Sequence, residues 1–537
     1  MVTAPLSLRK DYWTNFEVTD EDLEFLYNYL LEVERPQKPE NLIRALVAER
    51  IRKEKAALEK KMAASGAVFM PKETYEVGQT VQFPALDWRS GKVINKRPGN
   101  NPDLPPFEVI EVEFENGERR NFATGLEEHK LNEPLTLSDN DPLLDLDYVL
   151  ENFGEELTDV LKESLEGNPD LVRIGWEWFP RALLVDINIG HLNLAEAVLD
   201  MMGGGPMLTR DLMEQVDLPT DVDAHLNEFS LNLAMHEDKR FDEVGPAGEV
   251  LWFLHRLEPE PVRQTPLVLR YTQPANPTSP DLAGEVQEML DLFEPQVIDE
   301  LEPGLNPPSG ADPDEVAISL IYPHWRAGTL PLAGDLAKLF PTAYESPRIR
   351  FDFVDGNSGE KFSGWVVRQN NYVYGLRDWY LAQGLIPGGV LRIQRGQNPG
   401  EVIIRAEKKR ATREWIRTAV IGSDGGVVYS MLKHNIGAVI DERLAIVISD
   451  VEMLDQVWEQ NSKKRTPLPQ LIRQVMIEMS KLSPQNHVHA QELYAGVNIL
   501  RRCPPGPILS VLLENPWAQH LGNLYFRLED ISGGDNT

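Results

Sequence analysis

The sequence predicts an α+β protein built from several domains, and two observations support that class. Apolar residues recur three and four positions apart within 188–238 and 469–513, as they do in amphipathic helices. Within 75–131 and 344–457, apolar and polar residues alternate instead, as in half-buried strands. The chain has 537 residues. That length leaves room for roughly three to five domains.

The N-terminal segment, 1–70, is predicted to be helical. Asp20 opens a helix that ends before Pro36, and Pro39 starts a longer helix that reaches Ala64. Beyond its apolar first half, this second helix carries Lys, Glu and Ala, so we expect its end to be exposed.

Residues 71–134 are predicted to form a small β-barrel. Short strands alternate with turn residues, and Asn116-Gly117 is a signal for a two-residue hairpin turn. The stretches 77–81 and 91–93 are similar to the opening of SH3-like barrels of the Tudor and transcription-factor kind. Basic side chains would line this barrel, either as a solvated rim or as a face for nucleic acid or a protein. They are Arg89, Lys92, Lys96, Arg97, Arg119 and Arg120.

Residues 135–262 are predicted to be an acidic helical stretch followed by three helices and a hairpin. The first helix stops at the Gly-Gly-Gly-Pro sequence of 203–206, because glycine favours helix C-termini and proline cannot continue a helix. Thr209 would cap a second, short helix, and a third would start at Thr220 or Asp221 and reach Asp238. Two short strands around a turn at 245–248 complete the element order of a winged helix.

A second module of the same kind is predicted within 458–537. Helical patterns run through 471–479, 489–500 and 508–513, and residues 520–526 would close the wing. The sequence therefore predicts two winged helices, one in the middle of the chain and one near its end.

The first winged helix resembles a known group. The resemblance rests on Gly205-Pro206-Met207 before Asp211-Leu212, on Arg240-Phe241, and on Trp252-Phe253-Leu254 in the wing. These motifs are similar to those of the HARE-HTH winged helix, the group that includes the delta subunit of bacterial RNA polymerase. The resemblance implies a winged-helix fold and RNA polymerase as a possible partner. Delta-like proteins carry one such module and an acidic tail, whereas this chain has two modules and an internal acidic segment.

The predicted third helix of the first module argues against direct DNA reading. A recognition helix presents Arg, Lys, Asn or Gln to the bases and positive charge to the phosphates. Residues 221–238 contain five carboxylates and no Lys or Arg. We therefore expect Asp221, Asp223 and Glu228 to face a protein partner.

Charge is distributed unevenly along the chain. The formal net charge is −32. Residues 121–342 hold 12 Lys and Arg against 43 Asp and Glu, a balance of −31 that leaves about −1 for the flanks. The acidic middle is either a solvated surface or one that repels nucleic acid and binds a basic protein.

Residues 263–342 are predicted to be a linker with helices, because prolines and acids are frequent there. A single helical pattern stands out at 286–293.

The β-rich domain, predicted at 343–457, contains the densest basic cluster of the chain. Trp415 lies among these basic residues, so the cluster is a candidate contact for a nucleic-acid backbone. A solvated turn is the alternative. The basic residues are Lys408, Lys409, Arg410, Arg413 and Arg417.

No motif predicts catalysis, a cofactor or a metal site. Nucleophile-elbow, Walker A and Cys-x-x-Cys patterns do not occur, and the histidine pair at 487 and 489 lacks a third ligand at metal spacing. The single cysteine, Cys503, cannot form an internal disulfide and favours a cytoplasmic location. The charged start and the lack of a long apolar run predict neither a signal peptide nor a membrane helix.

Together these features predict a cytoplasmic, non-enzymatic protein of the transcription or nucleic-acid-processing machinery. Its winged helices would bind protein partners, and the barrel and the β-rich domain would supply weak nucleic-acid contact. Two alternatives stay open: a sequence-specific DNA-binding regulator, and an enzyme whose site no short motif encodes.

Overall fold

The computed structural model describes the following residues: 11–64, 68–83, 86, 89–101, 105–115, 117–129, 132, 141–246, 248–273, 280–343, 346–398, 400–422, 426–464 and 466–529. They divide into two compact units. The first is drawn from Met1–Asp186 and Thr220–Phe229, and the second from Ile187–Pro219 and Ser230–Thr537. Helices and strands occur in both units, which confirms the α+β multidomain class. The winged-helix and SH3-like assignments are finer than this class and stay predictions.

The first unit contains helices and two antiparallel sheets. Its helices are α1 (Asp20–Val33), α2 (Pro39–Ala64) and α3 (Leu146–Glu166). Its strands are β1 (Thr80–Phe83), β2 (Arg89–Pro98), β3 (Glu108–Phe114), β4 (Arg119–Thr124), β5 (Leu171–Ile174) and β6 (Glu177–Pro180). Buried Leu26, Leu30, Leu42 and Leu46 recur at helical spacing on α1 and α2, as the sequence pattern predicts.

Strands β1 to β4 form one antiparallel sheet in chain order. Alternate residues of β3, including Ile110 and Val112, are fully buried and pack with Phe83 and Phe114. The predicted hairpin joins β3 to β4, and Gly117 adopts a left-handed φ of 78° there, a conformation that glycine tolerates best. Asn116, the other predicted turn residue, lies outside the described residues.

The middle module contains the predicted three helices and the hairpin, with one additional short strand. The elements are α4 (Ile189–Met201), β7 (Met207–Leu208), α5 (Thr209–Met213), α6 (Ala224–Glu237), β8 (Phe241–Glu243) and β9 (Leu251–Leu254). The strand order in the sheet is β7-β9-β8. Thr209 does not cap α5. Its buried hydroxyl hydrogen-bonds with Asn232 and accepts the indole N–H of Trp252 at 3.1 Å instead.

Helix α6 begins at Ala224, so the prediction that it starts at Thr220 or Asp221 is wrong. The carboxylate of Asp223 accepts the backbone N–H of His225 at 3.0 Å, which places Asp223 just before the helix. Of residues 226–235, all but Glu228 and Ala234 are buried. Most of this helix is therefore not an exposed acidic face.

The predicted linker, 263–342, is not a linker, because much of it lies in the core of the second unit. The short helix α7 (Glu260–Arg263) leads into this segment. Its elements are α8 (Ala283–Leu290), β10 (Glu315–Ser319), α9 (Tyr322–Ala327), β11 (Thr329–Pro331) and α10 (Gly334–Ala337). Val297, Leu320 and Leu330 are fully buried there. Proline-rich composition suggested exposure, but short buried strands between the prolines supply core residues.

The β-rich region follows. Its elements are β12 (Arg348–Asp355), β13 (Lys361–Val367), β14 (Tyr372–Tyr374), α11 (Arg377–Ala382), β15 (Val390–Arg395), β16 (Glu401–Ala406), β17 (Lys408–Ile421), β18 (Val427–Ala438), β19 (Ile446–Ile448) and α12 (Val451–Lys463). Seven strands form a mixed sheet in the order β10-β15-β16-β12-β13-β14-β11. The long antiparallel pair of β17 and β18 belongs to a separate sheet, in which β19 lies parallel to β17.

The C-terminal module repeats the element order of the middle module. It comprises α13 (Leu468–Ser480), β20 (His487–His489), α14 (Ala490–Leu500), α15 (Pro505–Glu514), β21 (Ala518–Gly522) and β22 (Tyr525–Leu528). A buried ion cluster joins this module to the segment 263–342, which was predicted to be a linker. Arg502, with no exposed side-chain surface, contacts Asp299 at 2.6 Å and Glu300 at 2.9 Å, and Tyr494 donates its hydroxyl to Asp299. No helix among the described residues is long and apolar enough to cross a membrane.

Candidate nucleic-acid interface

The basic cluster predicted in the β-rich domain lies on a long hairpin of two antiparallel strands. Strands β17 and β18, here called the basic hairpin, pair in continuous register from Thr412↔Ile436 to Ile421↔Val427. The β-branched residues of both strands favour this extended conformation. The basic residues therefore occupy a strand and not a turn, and a solvated surface stays the alternative to a nucleic-acid contact.

The two faces of the basic hairpin differ. On one face Ile416 and Ile436 are buried with Ala445. On the other face, near the end of the hairpin farthest from its connecting turn, Arg413 and Trp415 are exposed. Alternation along a strand places these two side chains on the same side.

Trp415 is the centre of this open face. Its side chain is 60% exposed, which is high for so large an aromatic residue. Lys433 is its direct cross-strand neighbour, and the Lys433 ammonium lies 5.0 Å from the indole ring centre. This distance allows a cation–π interaction, in which the ammonium is attracted to the ring. Much of the ring remains exposed to solvent.

Charge on the basic hairpin is opposite in sign to that of the whole protein. The two strands carry six Lys and Arg and one carboxylate, Glu414. Glu414 pairs with Lys409 at 2.8 Å, and this hydrogen bond lowers the pKa of the Glu414 carboxyl. Lys408, Arg410 and Arg413 are exposed, and within the described part of the chain no ion pair is found for them.

Arg417 differs from the other predicted residues of the cluster. Its side chain is only 10% exposed and is paired with Glu492. Its guanidinium also donates to the backbone carbonyls of Glu442 and Arg443. Arg417 therefore anchors the hairpin and is not available to a ligand.

Lys433 and Asn435, which were not among the predicted residues, lie opposite Trp415 and Arg413. A signal for them exists in the sequence. The glycine-rich stretch 422–426 predicts a turn, and Trp415 and Lys433 are equally far from it along the two strands. Residues 423–425 of that turn lie outside the described residues.

The basic residues predicted on the four-stranded sheet are mostly paired. Arg89 and Arg120 both contact Glu118, Arg119 contacts Glu113, and Lys96 contacts Glu108, with distances between 2.6 and 3.1 Å. The ion pair with Glu108 raises the pKa of Lys96. Lys92 and Arg97 are exposed. The sheet is thus a largely charge-balanced surface, and among the residues that the structure describes no carboxylate contacts two of its six predicted cations.

The three acids predicted to face a partner occupy different environments. Asp221 is exposed, and Glu228 is half-buried on α6. Asp223 pairs with Arg35 at 2.8 Å, and its pKa is lowered by the backbone N–H of His225 and by Arg35 in spite of desolvation. They do not form one continuous acidic face on α6, because Asp221 and Asp223 precede that helix.

One group of carboxylates and a histidine has ligand atoms close enough to hold a metal ion. These are Asp242, His255 and Glu258, at the base of the middle module's hairpin. Nη1 of Arg348 also pairs with Asp242 and lies 3.4 Å from both His255 Nδ1 and Glu258 Oε2. Because the Arg348 guanidinium already pairs with Asp242 and contacts the other two groups, we interpret the arrangement as an ion cluster.

Glu258 is the most unusual member of this cluster. Its side chain has no exposed surface, and neither carboxyl oxygen accepts a hydrogen bond of normal geometry among the described residues. Burial, followed by the nearby charge of Asp242, raises the pKa of Glu258 above the usual glutamate value. Arg348 and Arg263 oppose that rise only in part.

Comparison with known proteins gives no match for this chain, whether against family models, curated proteins or solved structures.

Proposed function

We propose that this protein is a non-enzymatic, nucleic-acid-associated protein in which the basic hairpin contacts the nucleic-acid backbone and the two helix-and-hairpin modules bind protein partners. The observation that carries the proposal is the concentration of exposed cations around Trp415. Nucleic-acid affinity arises largely from neutralising phosphates with Lys and Arg, and the released counterions make it depend on salt.

The acidic surface of the rest of the protein supports a nucleic-acid contact that is limited to the basic hairpin. A chain with a net charge of −32 repels polyanions over most of its surface. Attraction is then strongest at Arg410, Arg413 and Lys433, for which no contacting carboxylate is found among the described residues. The four-stranded sheet would contribute less, because glutamates neutralise most of its cations.

Protein binding by the middle module is favoured by exposed apolar residues on α4. Leu194 and Met201 are 45% and 87% exposed and lie seven positions apart, which places them on one side of the helix. RNA polymerase as the partner rests on the HARE-HTH resemblance alone.

The nucleic-acid half of the proposal is tested with the full chain and fluorescein-labelled oligonucleotides at about 50 mM salt. Replacing Arg410, Arg413 and Lys433 together with Gln should weaken binding about tenfold or more. The slope of log K against the logarithm of the salt concentration should also become shallower by about two, because three phosphate contacts are lost.

A matched control changes the same amount of charge on the four-stranded sheet. Arg89→Gln, Arg119→Gln and Arg120→Gln together should alter the affinity less than about threefold, because Glu118 and Glu113 already neutralise these cations. Lack of binding by the unmodified chain at low salt would overturn the proposal, as would equal losses in the two triple variants.

A further inference from the structure

The open face of the basic hairpin combines an aromatic ring with cations on two sides. Arg413 precedes Trp415 by two residues on the same strand, a separation of about 7 Å along the strand. Lys433 lies directly across on β18, and Asn435 lies directly across from Arg413. One aromatic surface, two cations and one amide are therefore displayed together on a two-stranded ribbon.

This arrangement fits an unpaired base better than a duplex. In a duplex the base faces are stacked on each other, so a protein aromatic ring cannot stack on them without distorting the helix. In a single strand every base offers a free face, and aromatic side chains beside cationic residues are the usual means of binding it. Lys433 and Arg413 can contact the phosphates that flank a base on Trp415, and Asn435 can hydrogen-bond to a base edge.

We infer that the basic hairpin binds single-stranded nucleic acid, with one base stacked on Trp415 and the neighbouring phosphates paired with Arg413 and Lys433. This inference rests on the proposed function and adds the class of nucleic acid and the residue that recognises it. An acidic peptide is the rival occupant, because its carboxylates would also pair with the cations. Such a peptide would gain nothing from the aromatic ring, and this difference separates the two occupants.

The test compares the full chain with its Trp415→Ala and Trp415→Phe variants. The probes are a labelled oligo-dT, an oligo-U of the same length and a duplex of the same length. The unmodified chain should bind the single strands about tenfold more tightly than the duplex. Trp415→Ala should remove about tenfold of the single-strand affinity, whereas Trp415→Phe should retain most of it because phenylalanine also stacks.

Three further measurements separate stacking from charge, from a general loss of exposed apolar surface and from binding of an acidic peptide. The salt dependence of Trp415→Ala should equal that of the unmodified chain, since no cation is lost. Leu381→Ala removes a similarly exposed apolar residue elsewhere and should leave binding unchanged. A poly-glutamate peptide should compete only weakly with the single strand.

The outcomes distinguish this inference from the proposed function. If single strands and duplex bind equally and Trp415→Ala has no effect, while the triple cation variant weakens both, stacking is wrong and the proposed function stands. If poly-glutamate competes as well as the oligonucleotide, the single-strand inference is wrong. If no nucleic acid binds at low salt, both are wrong.

Discussion

The four-stranded sheet and the basic hairpin have similar numbers of basic residues and very different surfaces. In the sheet, β3 lies between the two basic strands and presents Glu108 and Glu113 toward them, so that Glu113 is the register partner of both Lys92 and Arg119. In the hairpin, β18 has no carboxylate, and Trp415 faces Lys433. The residues on the neighbouring strand therefore decide whether a basic strand is neutralised or open.

The strongest contrast occurs within one strand of the hairpin. Arg413 and Arg417 are on the same side of β17, yet Arg413 is exposed and Arg417 is anchored to Glu492 and two backbone carbonyls. We expect Arg417→Gln to lower the free energy of unfolding by about 2 to 3 kcal/mol, because it leaves a mostly buried carboxylate and carbonyls without their donor.

Urea denaturation followed by circular dichroism measures this difference. The matched control, Arg413→Gln, should change the free energy of unfolding by less than about 0.5 kcal/mol, as an exposed substitution does. Equal effects of the two substitutions would contradict the anchoring role of Arg417.

The opposite imbalance, carboxylates with too little positive charge, occurs at Glu258. A carboxyl whose pKa is raised on folding stabilises the protein fully only below its ordinary pKa, and that stability is lost as the pH rises through the folded pKa. Burial and Asp242 raise the pKa of Glu258. Glu258→Gln, which resembles the protonated form, should therefore be more stable than the unmodified chain at pH 8, and the advantage should shrink as the pH falls toward the ordinary glutamate range.

Melting temperatures of both proteins between pH 5 and pH 8 test this expectation. Glu260→Gln, which removes an exposed carboxyl two residues away, serves as the control for the change in net charge. A Glu258→Gln variant that is less stable than the unmodified chain at pH 8 would show that the ion pair with Arg348 outweighs the burial of charge.

Local patterns predicted the class and much of the element order. The helical spacing of 188–202 and 471–479 and the alternation in 349–353 correspond to α4, α13 and β12. These patterns succeed because they depend on neighbours within one element. The start of α6 was misplaced because Asp223 caps the helix through its side chain, which the apolar spacing does not reveal.

Long-range packing could not be predicted in the same way. Asp299 looked like one more acid in a proline-rich linker, but Arg502, far away in the chain, pairs with it in the core. The candidate site shows the same limit. Trp415 and the cations of β17 were visible as a cluster, whereas the burial of Arg417 and the contribution of Lys433 depend on partners from other elements.

The smallest expected effect is a gain of binding on the four-stranded sheet. If glutamates are what neutralise its cations, Glu113→Gln with Glu118→Gln should free Arg89, Arg119 and Arg120 to meet phosphates. Exposed ion pairs contribute at most about 1 kcal/mol, so the fold should tolerate the change. Affinity for a labelled single strand at low salt should rise about two- to threefold and the gain should disappear as salt is added.

The control for that gain keeps the change in net charge the same. Glu111→Gln with Glu115→Gln removes two carboxylates for which no ion pair is found in the described part of the chain, so it raises the overall charge without releasing an arginine. A larger gain from the Glu113 and Glu118 pair would show that local neutralisation separates the sheet from the basic hairpin. Equal gains from both variants would instead attribute the difference to the net charge of the sheet and not to the individual ion pairs.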